Sequence, residues 1–221
     1  LPGVLASVQK EFPGEEYELA HLSAKFQSFA KPDAADGQLL AMLVKAAVEL
    51  TTQEAPRWEI IAARLLMVQF DRALAERLAA RHIETFAQKV AFLTEEGLYG
   101  DYILQHYTPA ELDEAAGFID LSRNDLFTYA GLQLLLDRYV IRTHQGAPLE
   151  SPQEMFLGIA LHLAMEEREG ERMGWVRRFY DMLSTLKVTM ATPTLSNARK
   201  PFHQLSSCFI DTVPDSLDGI Y

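Results

Sequence analysis

The sequence predicts a mainly α-helical protein whose helices lead into a first β-strand near the C-terminal end. Two observations support the helices. Apolar residues recur at intervals of three and four across residues 36–49, which is the period of an amphipathic helix. The stretches Thr108-Pro109-Ala110-Glu111 and Ser151-Pro152-Gln153-Glu154 each combine an N-cap hydroxyl, a proline in the first turn and a glutamate at N3, which is the pattern of a capping box.

These signals and the apolar periodicity place the helices along the chain. The first two are joined by a short connection at residues 52–55, so we expect them to pack as an antiparallel pair. Gly97 and Gly100 end the third helix, because glycine readily adopts the backbone conformation that follows a helix C-terminus. The predicted helices cover residues 36–49, 56–80, 84–96, 126–140, 155–165 and 171–186, and a further helix begins at Pro109.

The chain changes character after the last of these helices. Pro193 and Pro201 exclude a continued helix, so a polar turn is predicted around residues 192–197. Residues 204–213 alternate loosely between apolar and polar side chains, which predicts a strand. A second, short strand is predicted at residues 139–141.

The composition is that of a globular, acidic chain. Of 221 residues, 48% are apolar, which is enough to bury a sizeable core. Lys and Arg number 20 and Asp and Glu 31, so the formal net charge is −11, which argues against binding to a nucleic-acid backbone. Arg64 and Arg72 interrupt the most apolar stretch, and neither a membrane span nor a signal peptide is predicted. The single cysteine excludes an internal disulfide framework and fits a cytoplasmic protein.

Cys208 is that cysteine, and the residues around it form the candidate functional segment. A lone cysteine is more often a small buried apolar residue than a reactive thiol. Here Ser206 and Ser207 precede it, and the hydroxyls of residues 192–197 are close enough in sequence to lie alongside. Hydroxyl and backbone N–H groups gathered in this way suit a phosphate or a ribose. A serine-rich turn that only water contacts explains the same composition about equally well.

Other functional motifs have little support. The six histidines form no HxxxH or HxH pair, so no metal site is predicted. His162 lies in an apolar helix, which predicts a core residue with its hydrogen bonds satisfied. Neither a GxGxxG nor a GxxxxGKS loop occurs. Asp215 follows a proline and is predicted to cap a new helix, whose free N–H groups suit an anion.

Several stretches taken together resemble one family. They are VRRFYDMLS at residues 176–184, ATPTLSNARKPFHQLSSC at residues 191–208 and DSLD at residues 215–218. The shorter pieces KAA, EAP, AARL and FID precede them in the expected order. From about residue 40 to its end, the sequence is similar to the large (alpha, catalytic) subunit of class I ribonucleotide reductase.

The resemblance implies a helical N-terminal region that leads into the first strand of a ten-stranded α/β barrel. It divides the chain into a shortened or degenerate ATP-cone-like helical region at residues 1–80, a helical N-terminal domain at residues 81–190 and the incomplete start of the barrel at residues 191–221. The radical-bearing cysteine, the second redox cysteine, its acidic partner and the radical-transfer tyrosines of the family are expected after residue 221. This chain by itself is therefore expected to be inactive.

The first of these regions departs from a full ATP cone. A full cone carries a basic hairpin such as V-x-K-R-D-G, and no such motif precedes Asp36. Asp36 and Leu40 stand where a cone offers Thr and His to the regulatory nucleotide, and Arg72 is the basic position that closes the second cone helix. On/off control by ATP and dATP is therefore in question.

The resemblance also implies the chemistry of the candidate segment. In the family, a thiyl radical on another cysteine removes the 3′ hydrogen of the ribose, and a thiol pair then reduces the 2′ position as water leaves. Cys208 is implied to be one of these two redox thiols, on the first barrel strand. The pair ends as a disulfide that a thioredoxin-type or glutaredoxin-type reductant reopens. Thr192 and Ser207 match positions that contact the substrate ribonucleotide.

Asp215, Ser216 and Leu217 match the start of the specificity site, where a deoxynucleotide effector binds near the dimer interface. The implied activity is that of a ribonucleoside-diphosphate reductase, which supplies 2′-deoxyribonucleotides for DNA synthesis. The implied partners are a radical-generating beta subunit, which carries the metal and radical cofactor, and a second alpha subunit. No cofactor, nucleic acid or membrane is expected to bind this chain itself.

Two alternatives remain open at this point. One is a non-catalytic helical interaction or regulatory module, in which Cys208 is merely buried. The other is the cobalamin-dependent class II reductase, which shares the T-P-T and S-S-C motifs. Hydroxyls that converge on the thiol favour an enzyme, because a scaffold has no need of them.

Overall fold

The computed structural model describes residues 2–31 and 34–220, and it confirms a mainly α-helical fold. Two short 3-10 helices lie at Glu15–Tyr17 and Leu121–Leu126. The α-helices of the described residues are α1 (Pro2–Glu11), α2 (Leu19–Gln27), α3 (Asp36–Glu49), α4 (Trp58–Ala79), α5 (Phe86–Glu95), α6 (Tyr102–His106), α7 (Pro109–Ala116), α8 (Tyr129–Arg138), α9 (Pro152–Ala164), α10 (Glu169–Ser184), α11 (Thr192–Asn197) and α12 (Leu217–Ile220).

Both predicted capping boxes are present. The backbone N–H of Glu111 donates to Thr108 Oγ1 at 3.3 Å, and the Glu111 carboxylate accepts from the backbone N–H of Thr108 at 2.8 Å. Ser151 and Glu154 make the same reciprocal pair, at 3.2 and 2.7 Å. These bonds satisfy N–H groups that the first helical turn leaves without partners, so they fix where α7 and α9 begin.

The predicted end of the third helix is also confirmed. Gly97 follows the C-cap of α5 with a φ of 68°, which is the left-handed conformation that glycine adopts without strain. The N–H groups of Gly97 and Leu98 donate to the carbonyls of Thr94 and Leu93 at 3.0 and 2.8 Å. This is the Schellman arrangement, and it turns the chain sharply toward Tyr99.

Two clusters of buried apolar side chains hold the helices together, and both draw on α4. The N-terminal cluster joins α1, α2 and α3 to the first half of α4, around Trp58, Ile61 and Leu65. The larger cluster joins the second half of α4 to the helices from α5 to α10. The single long helix therefore passes from one core to the other.

Helix α9 lies at the centre of the larger cluster. Nearly all of its residues are buried, including Phe156, Leu157 and Ile159. Such an all-round apolar helix is stable only when other helices surround it, and α10 packs along it. None of the helices in the described ranges combines the length and the apolar character that crossing a bilayer requires.

The sequence analysis missed the helices before Asp36 and the short helix α6. Helices α1 and α2 bury only a few large residues, among them Val8 and Leu22, so their apolar periodicity is weak. They form because these residues pack on α3 and α4 in the N-terminal cluster. Tertiary contact decides the conformation here, and local periodicity does not reveal it.

The strand expected at residues 139–141 is reduced to a single antiparallel bridge between Arg142 and Pro148. The N–H of Leu149 donates to the carbonyl of Ile141 at 2.8 Å, and the chain reverses near Gly146, whose φ is 85°. Residues 204–213 form no strand either. A strand needs a neighbour for its backbone hydrogen bonds, and the described residues offer this segment none. The barrel strand stays a prediction.

The polar turn expected at residues 192–197 is instead the short helix α11. As expected, no helix continues from α10 through Pro193: α10 ends at Ser184, and Leu186 follows with a φ of 57°. Pro193 lies in the first turn of α11, where the missing N–H has no intrahelical partner to lose. Pro193 therefore favours the start of a helix at this point.

The cap of α7 gives a direct test of local helix energetics. Thr108→Ala removes the hydroxyl that accepts from Glu111, so we expect the free energy of unfolding to fall by about 1 kcal/mol. Urea denaturation measures this change. Thr51→Ala is the matched control, because Thr51 is also exposed and its side chain makes no hydrogen bond among the described residues. Equal losses in the two variants would contradict the capping role.

Candidate functional site

Arg199 anchors the segment of residues 191–208 in the larger cluster. Its side chain is fully buried, although it follows the exposed start of α11. The guanidinium donates to both carboxylate oxygens of Glu150, with Nε at 2.9 Å from Oε1 and 3.1 Å from Oε2. Its Nη1 and Nη2 also donate to the carbonyls of Leu195 and Tyr139, at 2.8 and 2.7 Å.

Glu150 is equally enclosed, and each of its oxygens has further donors. The backbone N–H of Ile141 donates to Oε1 at 2.8 Å, and the Tyr99 hydroxyl donates to Oε2 at 3.1 Å. Burial alone would lower the pKa of Arg199, but the charge and hydrogen bonds of Glu150 raise it. Burial and the Glu150 charge raise the pKa of Tyr99 well above its usual value. The Arg199 guanidinium therefore stays charged, and the Tyr99 phenol stays a donor.

Gly158 on α9 makes room for this cluster. A Cβ at position 158 would lie 2.6 Å from the Tyr99 hydroxyl and 2.7 Å from Arg199 Cδ. Both distances are too short for a real contact, so any larger residue displaces one of the two side chains. The central helix thus approaches the ion pair closely because it carries glycine at this position.

A second set of bonds fixes the backbone beyond α11. The Tyr102 hydroxyl lies 2.9 and 3.0 Å from the carbonyls of Ala198 and Lys200, and the N–H of Gly100 donates to the Arg199 carbonyl at 2.9 Å. The Asn197 amide donates to the carbonyl of Gln204 at 3.0 Å. These bonds hold the segment as far as Gln204, and residues 206–218 are exposed.

Thr192 lies at the rim of a cavity of about 410 Å³. Its side chain is exposed, and its Oγ1 is 3.3 Å from the hydroxyl of the buried Tyr139. Apolar side chains from α8, α9 and the chain after α10, among them Leu135, Phe156 and Met190, line the rest of the cavity. Thr192 is therefore open to a ligand while a buried residue contacts its hydroxyl.

Ser207 and Cys208 are both exposed. Ser207 Oγ lies 3.7 Å from Cys208 Sγ, and no hydrogen bond joins either residue to Thr192 within the described ranges. The expected convergence of Thr192, Ser207 and Cys208 is thus not visible in this structure. None of the described residues buries Cys208.

The three predicted effector residues lie on the exposed turn that begins α12. Asp215 was expected to cap this helix, but the cap is Ser216, whose Oγ accepts from the N–H of Gly219 at 3.1 Å. The Ser216 N–H donates to the Pro214 carbonyl at 2.8 Å, which sets Ser216 rather than Asp215 at the helix start. Leu217 is the first helical residue.

Asp36, Leu40 and Arg72 line one cavity of about 550 Å³ in the N-terminal cluster. Leucine and phenylalanine side chains of α1, α2 and α3 form most of its wall, including Leu22 and Phe26. A triphosphate needs several donors or cations, and this wall offers Arg72 beside a carboxylate. No group of three His, Cys, Asp or Glu side chains in the described residues is placed to hold a metal ion.

His162 is a core residue, as predicted, but its hydrogen bonds are not satisfied. Its Nδ1 is buried and has no partner within the described ranges. The rings of Tyr102 and His203 lie 5.4 and 5.5 Å from the His162 ring, between centroids. Burial and, to a smaller extent, the neighbouring His203 together lower the pKa of His162 to about 4.

Sequence reasoning did not single out Glu150, Tyr99 or Tyr139, and it quoted Arg199 only as part of a motif. The pair Glu150 and Arg199 is separated by 49 positions, so no helical or strand spacing connects them. Each appears on its own as an ordinary charged residue beside a helix terminus. Only the packed fold reveals that both are buried.

The chain matches known proteins over these same segments. Residues 125–203 match the model of the family described as "Ribonucleotide reductase, all-alpha domain". The whole chain is similar to ribonucleoside-diphosphate reductase subunit alpha of Treponema pallidum (strain Nichols), with 60% identity over 219 residues, which is 99% of this chain and 26% of the relative.

More distant relatives carry the same name. The alpha subunit from Chlamydia trachomatis serovar D is 34% identical over 92% of this chain and 21% of its own length. Ribonucleoside-diphosphate reductase 1 subunit alpha from Escherichia coli (strain K12) is 31% identical over 80% of this chain and 23% of its own length. The chain therefore spans about a quarter of the length of the curated relatives it matches.

The buried ion pair is open to a stability test. Glu150→Gln leaves the Arg199 charge enclosed without a counter-charge, so we expect the free energy of unfolding to fall by about 3–5 kcal/mol. Chemical denaturation provides the measurement. In the control variant Glu49→Gln, which breaks a surface pair with Lys25, we expect a loss below about 1 kcal/mol. A loss as small in Glu150→Gln would show that the buried pair does not organise the fold.

His162 gives a pH dependence with a defined sign. An unfolded histidine titrates near pH ~6.5, whereas burial lowers the pKa of His162 in the folded protein to about 4. Between these values the unfolded state binds the extra proton, so stability falls as the pH falls from ~6.5 to ~4. His162→Gln is expected to lose less stability between pH 7 and pH 5 than the parent protein.

The comparison of unfolding curves at the two pH values isolates His162, because all other titrating groups are shared. His144→Gln is the control, since His144 is exposed, and it should reproduce the parent's loss of stability. An unchanged pH dependence in His162→Gln would contradict the assignment of the shift to this residue.

Proposed function

Because this chain belongs to the family of ribonucleoside-diphosphate reductase alpha subunits, we propose that it forms the N-terminal part of such a subunit and serves the reduction of ribonucleotides to 2′-deoxyribonucleotides. The single observation that carries the proposal is the 60% identity over 219 residues. Identity at this level covers both apolar clusters and the ATPTLSNARKPFHQLSSC segment.

In the proposed reaction Cys208 is one of two reducing thiols. Two thiols together give up two hydrogen atoms and form a disulfide, while the 2′-hydroxyl leaves as water and the 2′ carbon gains a hydrogen. A thioredoxin-type or glutaredoxin-type reductant then reopens the disulfide. The segment that contains Cys208 lies within the 219 residues that align with a ribonucleoside-diphosphate reductase subunit alpha, and this match supports the role.

Thr192 and Ser207 are proposed to contact the ribonucleotide. Both side chains are exposed hydroxyls, and each can donate to or accept from a sugar or phosphate oxygen. Asp215, Ser216 and Leu217 are proposed to begin the site for a deoxynucleotide effector. In this arrangement the well-fixed helices carry the segment, and residues elsewhere in the subunit complete the pocket.

The proposed partners follow from the relatives' names, which describe alpha subunits. They are a radical-generating beta subunit, which holds the metal and radical cofactor, and a second alpha subunit. Because the relatives are named as alpha subunits, the proposal favours a class I reductase over the cobalamin-dependent class II reductase. The cytoplasm is the proposed compartment.

Cys208→Ser in the complete subunit tests the catalytic assignment. A serine hydroxyl cannot form the disulfide, so we expect multiple turnover with thioredoxin or dithiothreitol to be abolished. The dissociation constant for the ribonucleotide should change little, because the substitution is nearly isosteric. Deoxynucleotide formation and equilibrium substrate binding are the two measurements.

Ser206→Ala is the matched control, since Ser206 is an exposed neighbour that the proposal gives no role. It should retain turnover close to that of the parent subunit. Sustained turnover by Cys208→Ser would refute the proposed role of this thiol.

A further inference from the structure

The contact between Tyr139 and Thr192 is the feature of the candidate site that the sequence analysis did not anticipate. Tyr139 is buried with 7% of its surface exposed, and its hydroxyl lies 3.3 Å from Thr192 Oγ1. We propose that Tyr139 is a positioning residue that orients the Thr192 hydroxyl toward the substrate. This inference rests on the proposed function, in which Thr192 contacts the ribonucleotide.

Arg199 holds the backbone on both sides of this contact. Its Nη2 donates to the carbonyl of Tyr139 at 2.7 Å, and its Nη1 donates to the carbonyl of Leu195 in α11 at 2.8 Å. The planar guanidinium fixes these two acceptors relative to each other, because its donors point in set directions. The chain at Tyr139 and the helix that carries Thr192 are therefore fixed by one side chain.

Glu150 keeps that side chain in place. It pairs with Arg199 and also accepts from the backbone N–H of Ile141, two residues beyond Tyr139. The Tyr139 ring then packs in the wall of the cavity whose rim carries Thr192. The Tyr139 phenol is therefore held in a fixed position, whereas the Thr192 side chain is exposed.

The chemistry of the two hydroxyls sets the direction of the bond. A phenol is a stronger acid than an aliphatic alcohol, so Tyr139 is the better donor and Thr192 Oγ1 the acceptor. The hydrogen of the Thr192 hydroxyl then remains available, and the rotation of the side chain about its bond is restricted. Thr192 is thereby prepared to donate to an oxygen of the ribonucleotide.

The geometry also separates this role from a purely structural one. A separation of 3.3 Å is long for a bond between hydroxyls, and one partner is exposed, so the bond adds little to fold stability. Its main effect is to select one orientation of an accessible hydroxyl. Loss of the phenol oxygen should accordingly weaken ligand binding more than it weakens the fold.

The test is a double-mutant cycle in the complete subunit, with a ribonucleoside diphosphate as the ligand. We expect Tyr139→Phe to raise the dissociation constant about 3- to 10-fold, the range expected for loss of one hydrogen bond. Thr192→Val should raise it by at least as much. If Tyr139 acts through Thr192, adding Tyr139→Phe to Thr192→Val should have no further effect.

Tyr107→Phe is the matched control. The Tyr107 hydroxyl is buried and donates to the carbonyl of Leu161 at 2.7 Å, within the larger cluster. This variant loses a phenol oxygen from the same core, so it reports the effect of general destabilisation on binding. We expect it to bind the nucleotide as the parent does, and thermal unfolding confirms that each variant is folded.

The outcomes distinguish this inference from the function on which it rests. If Thr192→Val weakens binding and Tyr139→Phe does not, the positioning role is refuted and the proposed function stands. Additive effects of the two substitutions also refute it, because Tyr139 would then act independently of Thr192. If Thr192→Val leaves binding unchanged, the proposed substrate contact fails, and the positioning role fails with it.

Discussion

The arrangement of the candidate site depends on one buried ion pair, that of Glu150 and Arg199. Enclosing two charges costs free energy, and the cost is offset only where every donor and acceptor finds a partner. Here Tyr99, the Ile141 N–H and the carbonyls of Tyr139 and Leu195 supply those partners. The pair therefore fixes the chain at three distant places at once, and the ATPTLSNARKPF segment is one of them.

The central helices make this pair possible. Helix α9 is apolar on nearly all sides and shields the charges from water, while Gly158 lets its backbone approach them. Helix α4 links this core to the N-terminal cluster, where mostly apolar side chains, together with Asp36 and Arg72, line a cavity. The second core thus carries the candidate site.

The order of the candidate segment changes abruptly along its length. Up to Lys200 it is buried or bonded, and Asn197 still reaches the carbonyl of Gln204. Ser207 and Cys208 lie beyond this and are exposed. The described residues therefore hold Thr192 in place and leave the thiol uncovered.

The sequence by itself determined the helical class, most helix boundaries and both capping boxes, because these depend on local spacing and on side chains within four residues. It also indicated the segment with Thr192, Ser207 and Cys208. It did not reveal α1 or α2, the cap at Ser216, the helix at Thr192–Asn197 or the buried pair of Glu150 and Arg199. The Ser216 cap depends on a bond to a residue only three positions away. Only the tertiary structure decided the other features, since they depend on which distant groups remove water from a side chain or complete its hydrogen bonds.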